Sequence, residues 1–197
     1  TNTTAIDTDD LSQYGDVGVQ TGRHIELRTV PDNRTAVDAL GWVDTIRPVV
    51  ASQRSQVLGT SDGGSLGVEE VHTAGTTGEG VTVGIIDFGF DATAPQIQAN
   101  VAETRSFTMT EQDPAHGTAV AEIVARTAPD SDLHLVSAAN DVQSKRAIEY
   151  LIQQDVDIIV ASWGNPVYED DGEHFFTTPI EDADAAGILF VTPAGNR

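Results

Sequence analysis

The chain has 197 residues, with 10 Lys+Arg against 31 Asp+Glu and a formal net charge of −21. That balance excludes the basic footprint of a nucleic-acid binder and opposes adhesion to anionic membrane surfaces. No cysteine is present, so disulfides and thiolate metal sites are excluded. No apolar run approaches the ~20 residues of a spanning helix, and Thr1-Asn2-Thr3-Thr4 shows neither the basic nor the apolar part of a secretion signal. Lysine occurs once, as Lys145, beside nine arginines. Strong acidity with scarce lysine suits an environment where concentrated salt screens self-repulsion, so a halophilic protein is expected.

Residues 1–12 are polar and are expected to form a disordered tail. Residues 13–50 read as a small ββαβ unit. Val17 to Gln20 and His24 to Val30 flank Thr21-Gly22-Arg23 as a hairpin. Pro31-Asp32 opens a helix that runs through Leu40 and stops at Gly41, and Trp42 to Val50 returns as a strand. A unit of about 35 residues has little core of its own and should pack on something larger. Residues 51–78 are rich in Gly, Ser and Thr and read as a linker, interrupted by a helical turn at Val68–Ala74.

From residue 79 to 197 apolar strands alternate with helices. Strands are predicted at Val81–Ile86, Leu133–Ser137, Asp157–Ala161 and Ile188–Val191. Helices are predicted at His116–Arg126, Gln143–Gln153 and Pro179–Ala186. The first helix is expected to turn Ala119, Val120, Ile123 and Val124 inward. The alternation predicts an α/β fold, a doubly wound parallel sheet covered on both faces, which binds ligands at the carboxyl ends of its strands.

Four motifs fall at such ends. Asp87 follows the first strand, and His116 opens a helix in His116-Gly117-Thr118-Ala119-Val120-Ala121. A helix N-terminus favours a neutral imidazole that can accept a proton. Ser162-Trp163-Gly164 follows the third strand, where exposed backbone can pair with an extended peptide. Asn196, in Ala194-Gly195-Asn196, offers a side-chain amide to an oxyanion. Taken singly, each has a plainer reading as a turn residue, a helix cap or a strand end.

Taken together and in this order, they resemble the subtilisin-like serine proteases, over residues 78–196. The resemblance implies a Ser/His/Asp endopeptidase in which Asp87 and His116 are triad members and Asn196 is the oxyanion asparagine. It implies that Ser162, Trp163, Gly164, Ala194 and Gly195 bind a peptide or protein substrate, and that the protein is extracellular. The unit at 13–50 is similar to the latter half of a subtilase propeptide. Phe88-Gly89-Phe90-Asp91 departs from the family's usual Thr-Gly-Ile/Val-Asp, and Asp91 is expected to form a structural turn.

The family's nucleophile motif, Gly-Thr-Ser-x-Ala-x-Pro, is not found in the 197 residues. Gly59-Thr60-Ser61 matches its first three positions only, and is followed by Asp62-Gly63. Asp87, His116 and Asn196 are therefore expected to belong to a catalytic domain cut short before its serine, and the chain alone is expected to be inactive. Two alternatives are a non-catalytic peptide-binding pseudoprotease and an α/β-hydrolase-type esterase using Ser65 in Gly63-Gly64-Ser65-Leu66-Gly67. No transition-metal site or other cofactor is expected. Glu169-Asp170-Asp171-Gly172-Glu173-His174 suits a structural Ca²⁺ only weakly and reads better as a solvated insertion. A sheet lacking its remaining layer should leave Ala119, Val120, Ile123 and Val124 partly uncovered, with strand residues such as Ile85 and Ile159, so that the chain either self-associates through that face or covers it with its N-terminal ββαβ unit.

Overall fold

The computed structural model describes residues 8–54, 67–110, 113–164 and 175–193. Five parallel strands form the main sheet: β4 (Thr82–Asp87), β5 (Val101–Ser106), β6 (Asp132–Ser137), β7 (Ile158–Ala161) and β9 (Leu189–Val191), in the order β5-β6-β4-β7-β9. Helices α4 (Pro114–Thr127), α5 (Asp141–Gln153) and α6 (Thr177–Ala185) cover it. The α/β reading holds, with strand and helix bounds within a few residues of those predicted.

The period of two along each strand separates the two faces. Val83 and Ile85 of β4 join Leu133 and Leu135 of β6 beneath Val120, Ala121 and Ala125 of α4. Ile86 and Ile159 point the other way, into a cluster with Ala147, Ile148 and Leu151 of α5. Gly84 lies on that second face, where an added Cβ would stand 2.7 Å from both Leu151 methyls. Each fully buried Leu or Ile here contributes about 1.5–3 kcal/mol of transfer free energy. By the same parity Asp87 falls on the α4 face.

The smaller elements are α1 (Asp9–Ser12), β1 (Gly15–Thr21), β2 (His24–Thr29), a 3-10 turn at Pro31–Asn33, α2 (Arg34–Asp38), β3 (Gln53–Arg54), α3 (Val68–Thr73) and β8 (Trp163–Gly164). Strands β1 and β2 form the predicted hairpin, closed by Gly22 at φ +53 and Arg23. The hairpin lies against α5. Thr21 Oγ1 donates to Glu149 Oε1 at 2.5 Å, while Asn140 Nδ2 (2.7 Å) and Gln143 Nε2 (3.0 Å) donate to the buried Glu26 carboxylate. The small unit thus finds the larger surface that its size demands.

Several expectations are corrected. Asp9–Ser12, within the expected tail, is a helical turn anchored by the buried Leu11. Residues 43–50 form no strand. Pro48 has no N–H to offer a ladder, and the Val50 N–H and C=O bond Asp141 instead, at 3.2 and 3.0 Å. The inward face of α4 is Gly117, Val120, Ala121 and Ala125, whereas Ile123 is exposed. Ile85 and Ile159 are fully buried; among the described residues of the main sheet, Leu189 (61 % exposed) and Val191 (43 %) on β9 are the large apolar side chains left open. Strand β5 was not predicted, because Val101-Ala102-Glu103-Thr104-Arg105-Ser106 carries no sustained apolar alternation.

Candidate active site

Strand β4 ends at Asp87, and the chain turns through Phe88 to Phe90 against the start of α4. That helix is capped by Asp113, whose side chain accepts from Ala115 N–H at 3.3 Å, and Pro114 follows with φ preset for the first turn. His116 lies in this first turn. Its Nδ1 is 2.8 Å from Asp87 Oδ2, with the aspartate side chain fully buried and the imidazole 10 % exposed. The other Asp87 oxygen accepts from Phe88 N–H at 2.7 Å. An ionised carboxylate only accepts hydrogen bonds, so against an ionised Asp87 the donor in this contact is the His116 Nδ1–H.

Gly117 makes the approach between helix and turn feasible. A Cβ there would stand 2.2 Å from the Gly89 carbonyl oxygen and 2.9 Å from Asp87 Cβ. Thr118 adds a second tie, its Oγ1 accepting from Asp91 N–H at 2.9 Å. Asp91 does form the expected turn: Oδ1 accepts from Thr93 Oγ1 at 2.6 Å and from Thr93 N–H at 3.0 Å. These bonds hold the Asp91 carboxyl below its ordinary range, the Thr93 hydroxyl contributing most.

Strand β8 holds two of the three residues singled out for peptide pairing, Trp163 and Gly164; Ser162 precedes it. The strand is already paired, antiparallel, with Gln53 and Arg54 of this same chain (Gln53 with Gly164, Arg54 with Trp163). Upstream, Ala51 bridges Asn140, and Ser52 N–H donates to Ala139 O at 3.3 Å. Sequence reasoning missed this occupant because its segment has no apolar pattern. What seats it is backbone pairing and the ion pair of Arg47 Nη1 with the buried Asp141, at 2.7 Å.

Strand β9 runs parallel to β4 through β7, so its last residue, Val191, reaches the sheet edge where Asp87 ends. Ala194, Gly195 and Asn196 lie outside the described residues, as do Ser61, Ser65 and the acidic run Glu169–His174. Among the described residues no group of three or more His, Asp or Glu is placed to hold a metal ion, and no helix is long and apolar enough to cross a membrane.

The buried aspartate and its histidine thus lie at the carboxyl edge of a doubly wound parallel sheet, the place where such sheets form their sites. The family described as the Subtilase family matches residues 78–197, and the chain belongs to it. It is 35 % identical over 145 residues to an intracellular serine protease of Paenibacillus polymyxa, covering 62 % of this chain and 43 % of that protein. To a subtilisin of Bacillus pumilus it is 31 % identical over 147 residues, covering 64 % of this chain and 51 % of the relative. The chain thus spans about half the length of these relatives, or less. The crystal structure of a lanthipeptide protease shares the fold, with a TM-score of 0.55 at 20 % identity, covering 66 % of this chain and 44 % of the other.

Proposed function

We propose that this chain carries the acid–base pair and the substrate strand of a serine endopeptidase whose nucleophile is supplied by sequence outside these 197 residues. The observation that carries the reading is the 2.8 Å contact of His116 Nδ1 with the buried Asp87. In the mechanism, a serine oxygen attacks the scissile carbonyl carbon while His116 Nε2 takes the hydroxyl proton. Asp87 keeps the imidazole in the required tautomer and stabilises the imidazolium. Asn196 and a backbone N–H donate to the tetrahedral oxyanion. Collapse breaks the C–N bond as His116 delivers the proton to the leaving amine. Water then attacks the acyl-enzyme by the same steps.

The substrate binds as an added strand along Trp163–Gly164, the place that Gln53–Arg54 occupies. Residues 13–50 act as a propeptide-like unit: their hairpin is bonded to α5, and the chain continues from them into that place. One observation favours a second reading, a peptide-binding pseudoprotease: the strand pairing at Trp163–Gly164 needs neither Asp87 nor His116. Extracellular location is part of the proposal. Cell fractionation tests it, and the relative named an intracellular serine protease stands against it.

The deciding experiment uses the parent protein. His116→Ala and Asp87→Asn should each lower kcat by about 10⁴–10⁶ with KM little changed, a magnitude known from subtilisin itself, a member of this family. Unchanged kcat in either variant would overturn the assignment. The 197-residue chain alone should show no amidase activity and no labelling by a fluorophosphonate; labelling at Ser65 would establish the esterase alternative instead.

A further inference from the structure

Three strand ends lie side by side at the edge that holds Asp87. Asp87 of β4 stands in register with Ser137 of β6, and Ser137 with Ser106 of β5. Backbone bonds lock this end of the sheet: Ala138 N–H donates to Asp87 O at 2.8 Å, and Phe107 N–H to Ser137 O at 2.9 Å. In-register partners of a parallel sheet share a face, with neighbouring strands about 4.8 Å apart. The alternation from Leu133 and Leu135 places Ser137 on the α4 face, as that from Val83 and Ile85 places Asp87 there. Asp87, Ser137 and Ser106 thus end an apolar face in one polar row.

A cavity of about 180 Å³ opens on the same row, with Phe90, Thr104, Ser106 and Ser137 in its wall. The Phe90 ring also borders Asp87: a Cβ added at Gly117 would meet Phe90 Cε1 at 3.0 Å and Asp87 Cβ at 2.9 Å. Ser106 lies at the exposed end of the row, whereas Ser137 is 4 % exposed and Asp87 is fully buried. A carboxylate offers about four acceptor sites, of which Phe88 N–H and His116 Nδ1 occupy two. Removed from water, such a charge is stabilised by each further donor. A hydroxyl donates and accepts at once, so Ser137 can receive a bond from Ser106 or from cavity water while it donates to Asp87. Asp87 is the acceptor-only member of the row and sets that direction.

We infer that Ser137 is a positioning residue of the proposed reaction: its hydroxyl donates to the Asp87 carboxylate from the neighbouring strand and takes up part of the charge that His116 otherwise meets. The inference rests on the reading of Asp87 and His116 as the acid–base pair. The hydroxyl and the His116 Nδ1–H compete for one acceptor, so loss of the hydroxyl strengthens the bond that remains. Phe88 N–H and the backbone bonds keep Asp87 in place meanwhile.

The test is the NMR resonance of the His116 Nδ1–H proton in the full chain, for the wild type and for Ser137→Ala, Ser137→Cys and Ser137→Thr. A stronger hydrogen bond moves its proton downfield. The resonance should move downfield in Ser137→Ala, less far in Ser137→Cys, whose thiol is a weak donor, and return to the wild-type position in Ser137→Thr. The cavity leaves room for the added methyl of threonine. Amide exchange in β4 and β6 as slow as in the wild type shows that a variant is folded, and two serine replacements keep the test open should one fail this check. An unmoved or upfield resonance in a folded alanine or cysteine variant overturns the inference, as does an equal shift for alanine and threonine; the acid–base pair then still stands. Absence of a hydrogen-bonded Nδ1–H resonance in the wild type would overturn the reading of the pair itself.

Discussion

Gly117 offers a sharp test of how the Asp87–His116 pair is held. Alanine in a helix normally stabilises by about 1 kcal/mol over glycine. At Gly117 an added Cβ would meet the Gly89 carbonyl oxygen at 2.2 Å, Asp87 Cβ at 2.9 Å and Phe90 Cε1 at 3.0 Å. The first contact is with backbone just past the end of β4, which cannot rotate aside as a side-chain terminus can. Overpacking costs typically 1–3 kcal/mol, and so close a backbone contact belongs at the upper end. After the propensity gain the net loss is about 2 kcal/mol. For a chain of this size each kcal/mol shifts Tm by about 2–4 °C, so Gly117→Ala should melt about 4–8 °C lower. Relief requires the Asp87–Phe90 turn to move off α4, which pulls Asp87 from His116. The hydrogen-bonded Nδ1–H proton of His116 should therefore weaken or vanish from the NMR spectrum. An unchanged or raised Tm with that resonance intact would refute the argument, because the turn would then yield without cost.

Burial, Lys145 and Arg47 hold His24 below its ordinary value of 6.5, against a smaller pull from the Thr21 backbone and Asp141. The unfolded chain thus binds this proton more readily, so the stability linked to His24 is complete above pH 6.5 and is lost as pH falls through the lower folded value. The decline in Tm from about pH 7 to 5 should shrink in His24→Gln, and equal slopes would exclude His24 as a source. Arg47→Ala strips the fully buried Asp141 of its ion pair but leaves it the Val50 and Val142 amides. The expected loss is about 2–3 kcal/mol in urea denaturation, below the 3–5 typical of fully buried pairs; a loss under about 0.5 would show that the amides suffice. If the −21 charge reflects a high-salt environment, multimolar KCl should raise Tm substantially, whereas a flat or falling Tm would leave the acidity without that explanation. The exposed Leu189 and Val191 on strand β9 should drive concentration-dependent association in light scattering, and a clean monomer at high concentration would count against it.

The pair Asp87 and His116 was legible from sequence because both sit where local pattern is strongest. One ends the apolar run Val81 to Ile86, and the other follows the Asp113-Pro114 helix start. Period two puts Asp87 on one face of β4, and the helix that covers that face must begin at the same edge. The elements with weak local signals were decided by tertiary contacts. Strand β5 carries little apolar content and exists because β6 offers it a free edge. Residues 43–50 contain Val43, Ile46, Val49 and Val50, a composition that suits a strand. Yet Arg47 and Val50 bond to the N-terminus of α5, about 90 residues away in sequence, since Asp141 accepts Arg47 and the Val50 amide together. The inward face of α4 turned on Gly117, whose lack of a side chain lets the helix close on Asp87 and so rotates Ile123 outward. Pairing of Gln53–Arg54 with Trp163–Gly164 runs through backbone groups that every residue possesses. Backbone pairing carries no residue code, so the sequence could mark the receiving strand, while only the folded chain could show what lies on it.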